Sequence, residues 1–211
     1  MQLPTIATFA LASAALASAM PVWPITHAHK TRIIEHIAPK STSCADDTEC
    51  RTADQLSSHV FNSMYRYQLF HPNQMAAVIS LMAFESGDFE YKTNHFPGRP
   101  GQGTANMQMA KFNLAYAKSI RAVKDQVANV TSVDGLPDAE LNRIRGLVLD
   151  DKYNFGSGAW FLRTECQDVA KELAQDIDAG FEAYMACVGV EVGDERLAYL
   201  NRAKEAFGLD K

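Results

Sequence analysis

The run Met75-Ala76-Ala77-Val78-Ile79-Ser80-Leu81-Met82-Ala83-Phe84 constrains this chain more than any other stretch. It lacks the period-two alternation of a half-buried strand, and a helix that is apolar on nearly every face has to be buried among other elements. The run ends abruptly. Glu85 follows Phe84, and Ser86-Gly87 stops the pattern, with glycine placed as a C-terminal stop. The spacing therefore predicts a buried helix from about Asn73 to Ser86 whose last turn carries an acid.

From residue 52 onward the rest of the chain also reads as helices. Thr52-x-x-Gln55 is a capping-box pattern, followed by Leu56, Val60, Met64 and Tyr67 at helical spacing. His71-Pro72 breaks that helix. Glycines with Pro97 and Pro100 make 87–106 a loop or a small irregular sheet. Helical patterns resume over 111–127, after Pro137 (Leu141, Ile144, Leu147 and Val148 on one face), over 153–166, over 180–188 and over 194–207. The predicted fold class is mainly α, or α+β with at most a small irregular β region.

The first 19 residues read as a secretory signal: no charged side chain, an apolar run from Ile6 to Leu16, and Ala17-Ser18-Ala19 as a small-x-small cleavage site. That run is too short and too rich in Ala and Ser to span a bilayer. Residues 20–50 are expected to be a flexible arm or removable pro-segment with a local disulfide, and 51–211 a single catalytic domain. His27, His29 and His36 are assigned to the solvated arm rather than to a metal. In the oxidising setting that secretion implies, the four cysteines are expected to pair as Cys44–Cys50 and Cys166–Cys187, two other connectivities being open. Their spacing matches no zinc pattern, and neither a metal nor any other cofactor is expected. Asn129-Val130-Thr131 is an N-glycosylation sequon, a short signal of surface position. The net charge of −5 gives no electrostatic basis for nucleic-acid binding. No later stretch is long and apolar enough for a membrane span, and a monomer is expected.

Glu85 is the chemically pointed residue. Its neighbours Leu81, Met82 and Phe84 are apolar, it sits at the negative end of the helix dipole, and Asp88 and Glu90 follow closely. All three effects favour the protonated acid, which is the form a general acid needs. The alternative is a glutamate facing water at a frayed helix end.

Four short motifs then follow in order: Glu85-Ser86 at the end of an apolar helix, Gly103-Thr104-Ala105-Asn106-Met107-Gln108, Asn154-Phe155-Gly156-Ser157-Gly158-Ala159-Trp160-Phe161-Leu162, and Ala183-Tyr184-Met185. This order resembles the lysozyme-like superfamily, in its branch of soluble lytic transglycosylases and goose-type lysozymes, over roughly residues 73–200. The resemblance implies a lysozyme-like helical domain. It makes Glu85 the catalytic acid and Tyr184 the phenol that orients it. Ser86, Asn94, Met107 and Gln108 become substrate-binding residues, and Asn154, Gly158, Phe161 and Leu162 a helix that packs beneath the site. Asp88 is the candidate second carboxylate; a solvated loop charge is the other reading. The implied activity is a secreted muramidase cutting the β-1,4 MurNAc-GlcNAc glycan of peptidoglycan. A lytic transglycosylase, chitin as substrate, and a non-enzymatic secreted glycan-binding or interaction protein are the alternatives. Two departures stand out: the family's Gly-Leu before Met-Gln is Ala105-Asn106, and the Asn of its Ala-Tyr-Asn is Met185.

Overall fold

The computed structural model describes residues 25–45 and 48–210. The leader expected over 1–19 lies outside the described residues. The described chain is mainly helical, with no strand, only isolated antiparallel bridges pairing Thr93 with Gly103 and Gly103 with Gln108. Its helices are α1 (His27–Ile37), α2 (Ala53–Arg66), α3 (Pro72–Glu85), α4 (Ala110–Ser119), α5 (Asp138–Gly146), α6 (Asp151–Asn154), α7 (Ser157–Thr164), α8 (Gln167–Gln175), α9 (Ile177–Val188) and α10 (Asp194–Phe207).

Helix α3 is the central element. Every residue from Met75 to Ala83 is buried, and α10, α7, α8, α9 and α1 pack around it. Each fully buried Val, Ile, Leu or Met there contributes about 1.5–3 kcal/mol relative to exposure. The approach of α7 is very close: a Cβ added at Gly158 would lie 2.5 Å from the Met82 sulfur. At the N-terminus, Pro72 occupies the first turn, and the His71 side chain accepts from the Asn73 amide. At the C-terminus Gly87 is left-handed at φ 62°. Its amide donates to Phe84 O and that of Asp88 to Ala83 O, the two bonds of a Schellman cap.

Several boundaries differ from expectation. Part of the segment read as a flexible arm is helix α1, capped by Thr26, and it buries Ile33, Ile34 and Ile37 against α2, α3 and α10. Two of its histidines hold it in place: His27 pairs with Asp54, and His36 with Glu205. Helix α4 stops at Ser119 rather than running to 127. Ile120, Val123 and Val127 keep a helical spacing and are buried, but they sit on a turn and the 3-10 turn Lys124–Val127. The predicted 153–166 helix is interrupted at Phe155-Gly156 into α6 and α7. Helix α8, whose Ala170 and Leu173 are buried one turn apart, had no counterpart in the sequence reading.

Two disulfides are formed. Cys44–Cys50 closes a small loop after α1, and Cys166–Cys187 ties the start of α8 to the last turn of α9.

Candidate functional site

Glu85 ends α3 at the edge of a cleft of about 270 Å³. One side of the cleft is the loop before α4, which supplies Arg99, Gln102, Asn106, Met107 and Gln108. The other side is apolar: Phe112 of α4, Phe161 of α7, and Val188 and Val190 around the end of α9.

The surroundings of Glu85 are not those the sequence suggested. Arg196, in α10, donates from Nη2 to the Glu85 carboxylate at 2.9 Å, with both side chains about one-fifth exposed. The same guanidinium stacks over the Phe84 ring at 4.5 Å and donates to the Glu191 carbonyl. Glu85 is therefore half of an ion pair rather than an isolated acid.

Tyr184 is fully buried, and its hydroxyl has no hydrogen-bond partner. Burial pushes the phenol up from its ordinary value, and the nearby Glu85 charge adds to the shift. The two groups feel each other electrostatically, but no hydrogen bond joins them. The hydrogen bond to Glu85 that was expected from the phenol comes from Arg196 instead.

Asp88 is in a different place from Glu85. Its buried carboxylate accepts from the Lys40 amide at 3.0 Å and from the Tyr199 hydroxyl at 2.5 Å. It lines a separate cavity of about 380 Å³ with Glu49, Glu90, Tyr91 and His95, to which Glu85 does not contribute. Burial first, then the hydrogen bond and charge of Asp88, push the Tyr199 phenol up to about 12. Ser86 is a cap: its hydroxyl donates to Met82 O and accepts from the Phe89 amide. Asn94 organises the loop by accepting from the Gly98 and Arg99 amides, and it does not line the cleft.

Met107 and Gln108 do line it, and the loop beneath them is held by a set of amide side chains. Asn154, from α6, accepts from the Ala105 amide. Asn113, from α4, donates to the Gly101 and Gln108 carbonyls, which leaves its Oδ1 to accept from Gln108 Nε2. Gln102 Nε2 donates to the Met107 carbonyl. The amide orientations of Gln102 and Gln108 are fixed by these bonds. Each keeps an oxygen without a partner, as does the side chain of Asn106. A buried carbonyl oxygen left unpaired is costly, so these three acceptors suit a hydrogen-bond donor. The sequence pointed to Gln108 and Asn154 as residues but to none of these contacts, of which that between Asn154 and Ala105 spans 49 positions. Among the described residues no group of three or more His, Cys, Asp or Glu is placed to hold a metal ion.

Comparison with known proteins bears on the class. The chain is 52% identical over 157 residues to a protein of Fusarium oxysporum named bifunctional dioxygenase (DOX)-epoxy alcohol synthase (EAS). The match takes in 74% of this chain but only 12% of that protein's length. No family model matches the chain, and no solved structure does.

These findings correct the lysozyme-like resemblance and everything it implied about activity. The matched relative bears the name of a dioxygenase and synthase, and no lysozyme-like protein is matched by family model or structure. Muramidase and lytic transglycosylase activity, the non-enzymatic glycan-binding alternative, and peptidoglycan or chitin as partners are given up. The physical reasons lie in the motifs. Met185, where the family pattern has a polar residue, is fully buried core. Glu85 is claimed by Arg196, and Asp88 faces another cavity.

Proposed function

We propose that this chain is an enzyme working in the Glu85 cleft, on a neutral molecule that joins hydroxyl donors to an apolar body. Glu85 is its proton-transfer group. The observation that carries this reading is the set of orphan oxygens on Gln102, Asn106 and Gln108 beside that carboxylate. Gln102, Asn106 and Gln108 line one side of the cleft, with their unpaired oxygens buried behind its surface, and Phe112, Phe161, Val188 and Val190 line the other. A ligand with hydroxyl groups satisfies the first and a hydrocarbon portion the second. Glu85, held at the edge of the cleft by Arg196, is the carboxylate placed to exchange a proton with such a hydroxyl or with a water beside it.

The name of the Fusarium relative points to a compound of this kind: an epoxy alcohol carries a hydroxyl donor beside an ether oxygen. The chain corresponds to a small part of that relative, so dioxygenase chemistry is not assigned to it. Two disulfides, and the absence among the described residues of any helix long and apolar enough to cross a membrane, support a secreted protein.

The test uses purified protein and an epoxy alcohol as probe. Mass spectrometry follows its conversion, and NMR follows the cleft resonances of Gln108 and Phe112. The parent is expected to perturb both resonances and to convert the probe. Glu85→Gln should bind it and lose turnover by about a hundredfold or more, the usual contribution of a positioned acid–base group. Absence of both binding and conversion in the parent overturns the reading.

A further inference from the structure

The sequon Asn129-Val130-Thr131 is untouched by the chemistry above, and the structure gives it a definite setting. It follows the 3-10 turn Lys124–Val127 and precedes α5. Val130 is half-buried and packs against the core, while Asn129 and Thr131 on either side of it are exposed. Neither flanking side chain makes a hydrogen bond among the described residues. The middle residue is Val and the next is Ser132, so no proline stiffens the acceptor. It is the one Asn-x-Ser/Thr sequence in the chain.

We propose that Asn129 carries an N-linked glycan. In the transfer, Asn129 Nδ2 forms a bond to the anomeric carbon of an oligosaccharide supplied on a lipid pyrophosphate. The bond from that carbon to the pyrophosphate oxygen breaks, the lipid pyrophosphate leaves with the electron pair, and Nδ2 gives up one proton. The folded chain keeps room for the product. Val130 anchors the segment through its own side chain, so a substituent on Asn129 displaces no packed group.

The position also keeps the glycan away from the Glu85 cleft. Helix α4 separates the two: Phe112 lines the cleft, whereas Leu114, Ala115 and Lys118 share a pocket with Thr131–Asp134 on another face. The modification therefore adds a polar shield over a loop and leaves the cleft open. This inference does not depend on the enzymatic reading.

Expression of the full chain in a eukaryotic secretory host tests it. The intact mass of the secreted protein should exceed that of the polypeptide, and a peptide amidase should remove the excess and leave aspartate at position 129. Asn129→Gln and Thr131→Ala should both lack the added mass, whereas Thr131→Ser should retain it. Peptide mapping of the parent decides the matter even where a variant fails to fold. Secreted parent protein with unmodified Asn129 overturns the proposal, as does a glycan that persists in Asn129→Gln. A chain that never enters the secretory pathway of that host overturns it too.

Discussion

Glu85 and Arg196 are 111 positions apart in sequence and 2.9 Å apart in space, a contact that binds the end of α3 to α10 at the rim of the cleft. Both side chains are mostly withdrawn from water, so each would leave the other poorly compensated if removed. We expect Arg196→Gln to lower unfolding free energy by about 1.5–3 kcal/mol, the range for a hydrogen bond to a charged group. A double-mutant cycle with Glu85→Gln, read by urea unfolding, should give a coupling of about 0.5–1 kcal/mol or more. Strict additivity of the two losses would show that the pair contributes nothing.

Gly158→Ala isolates the packing between α3 and α7. On helix propensity alone, alanine is favoured over glycine by up to about 1 kcal/mol, the helix-interior figure, and Gly158 lies in the first turn of α7. Here the new methyl would meet the Met82 sulfur at 2.5 Å and Val78 at 3.0 Å. Overpacking of this kind costs about 1–3 kcal/mol, so the net effect should be destabilising. Thermal unfolding of Gly158→Ala, alone and with Met82→Ala to open space, checks the sign. A more stable single variant would show that α3 and α7 can move apart freely.

What could be read from the sequence was local. The apolar run announced a buried helix, Thr52 and Gln55 form both bonds of their capping box, and Gly87 closes α3 in a left-handed conformation. Each signal spans only a few residues and acts through the backbone beside it. Helix α1 was missed because its buried face is just Ile33, Ile34 and Ile37, too short a series to set a period amid histidines. The 111–127 pattern misled for the opposite reason. Its apolar spacing continues past Ser119, but at Ile120 the backbone is extended, with ψ 111°. Spacing can report burial without reporting which helix carries it. At the site, Glu85 drew notice through its neighbours in sequence, whereas Arg196 lies far along the chain and carries no local mark. The short motifs that suggested a lysozyme-like enzyme had the same weakness: each could be matched without its spatial partners.

Acid should weaken the protein through Asp151 and Glu49. Asp151 is partly buried, which works against its charge, yet hydrogen bonds and charges from Lys92 and Arg51 prevail and hold it below its ordinary value of 3.8. Glu49 is likewise opposed by burial and held below 4.5 by the Thr93 hydroxyl, the Lys92 amide and His95. A carboxylate whose folded value is depressed contributes stability that is complete above its unfolded value and is lost as pH falls through the folded one. Urea unfolding should therefore show little change from these two groups between pH 7 and about 5, and a decline below about 4. Asp151→Asn should flatten part of that decline. An unchanged acid slope in the variant would remove Asp151 from the account.

The Cys166–Cys187 bond bears on the apolar side of the cleft, since Cys187 immediately precedes Val188 and Gly189 at its edge. Its loop spans 21 residues. In the chain-entropy picture, closing a loop of that length costs the unfolded state about 3 kcal/mol, which becomes stability of the fold. Replacing both cysteines by serine should lower unfolding free energy by roughly that amount. The buried core around Phe181 and Tyr184 stays packed through α8 and α3, so far-ultraviolet circular dichroism should remain that of a helical protein. Hydrogen exchange should accelerate first in the last turn of α9 and at Gly189-Val190, whose amides are held by Met185 and Ala186 carbonyls at that helix end. Faster exchange spread evenly over all helices would instead mean that the bond stabilises the whole fold and gives no particular support to the cleft.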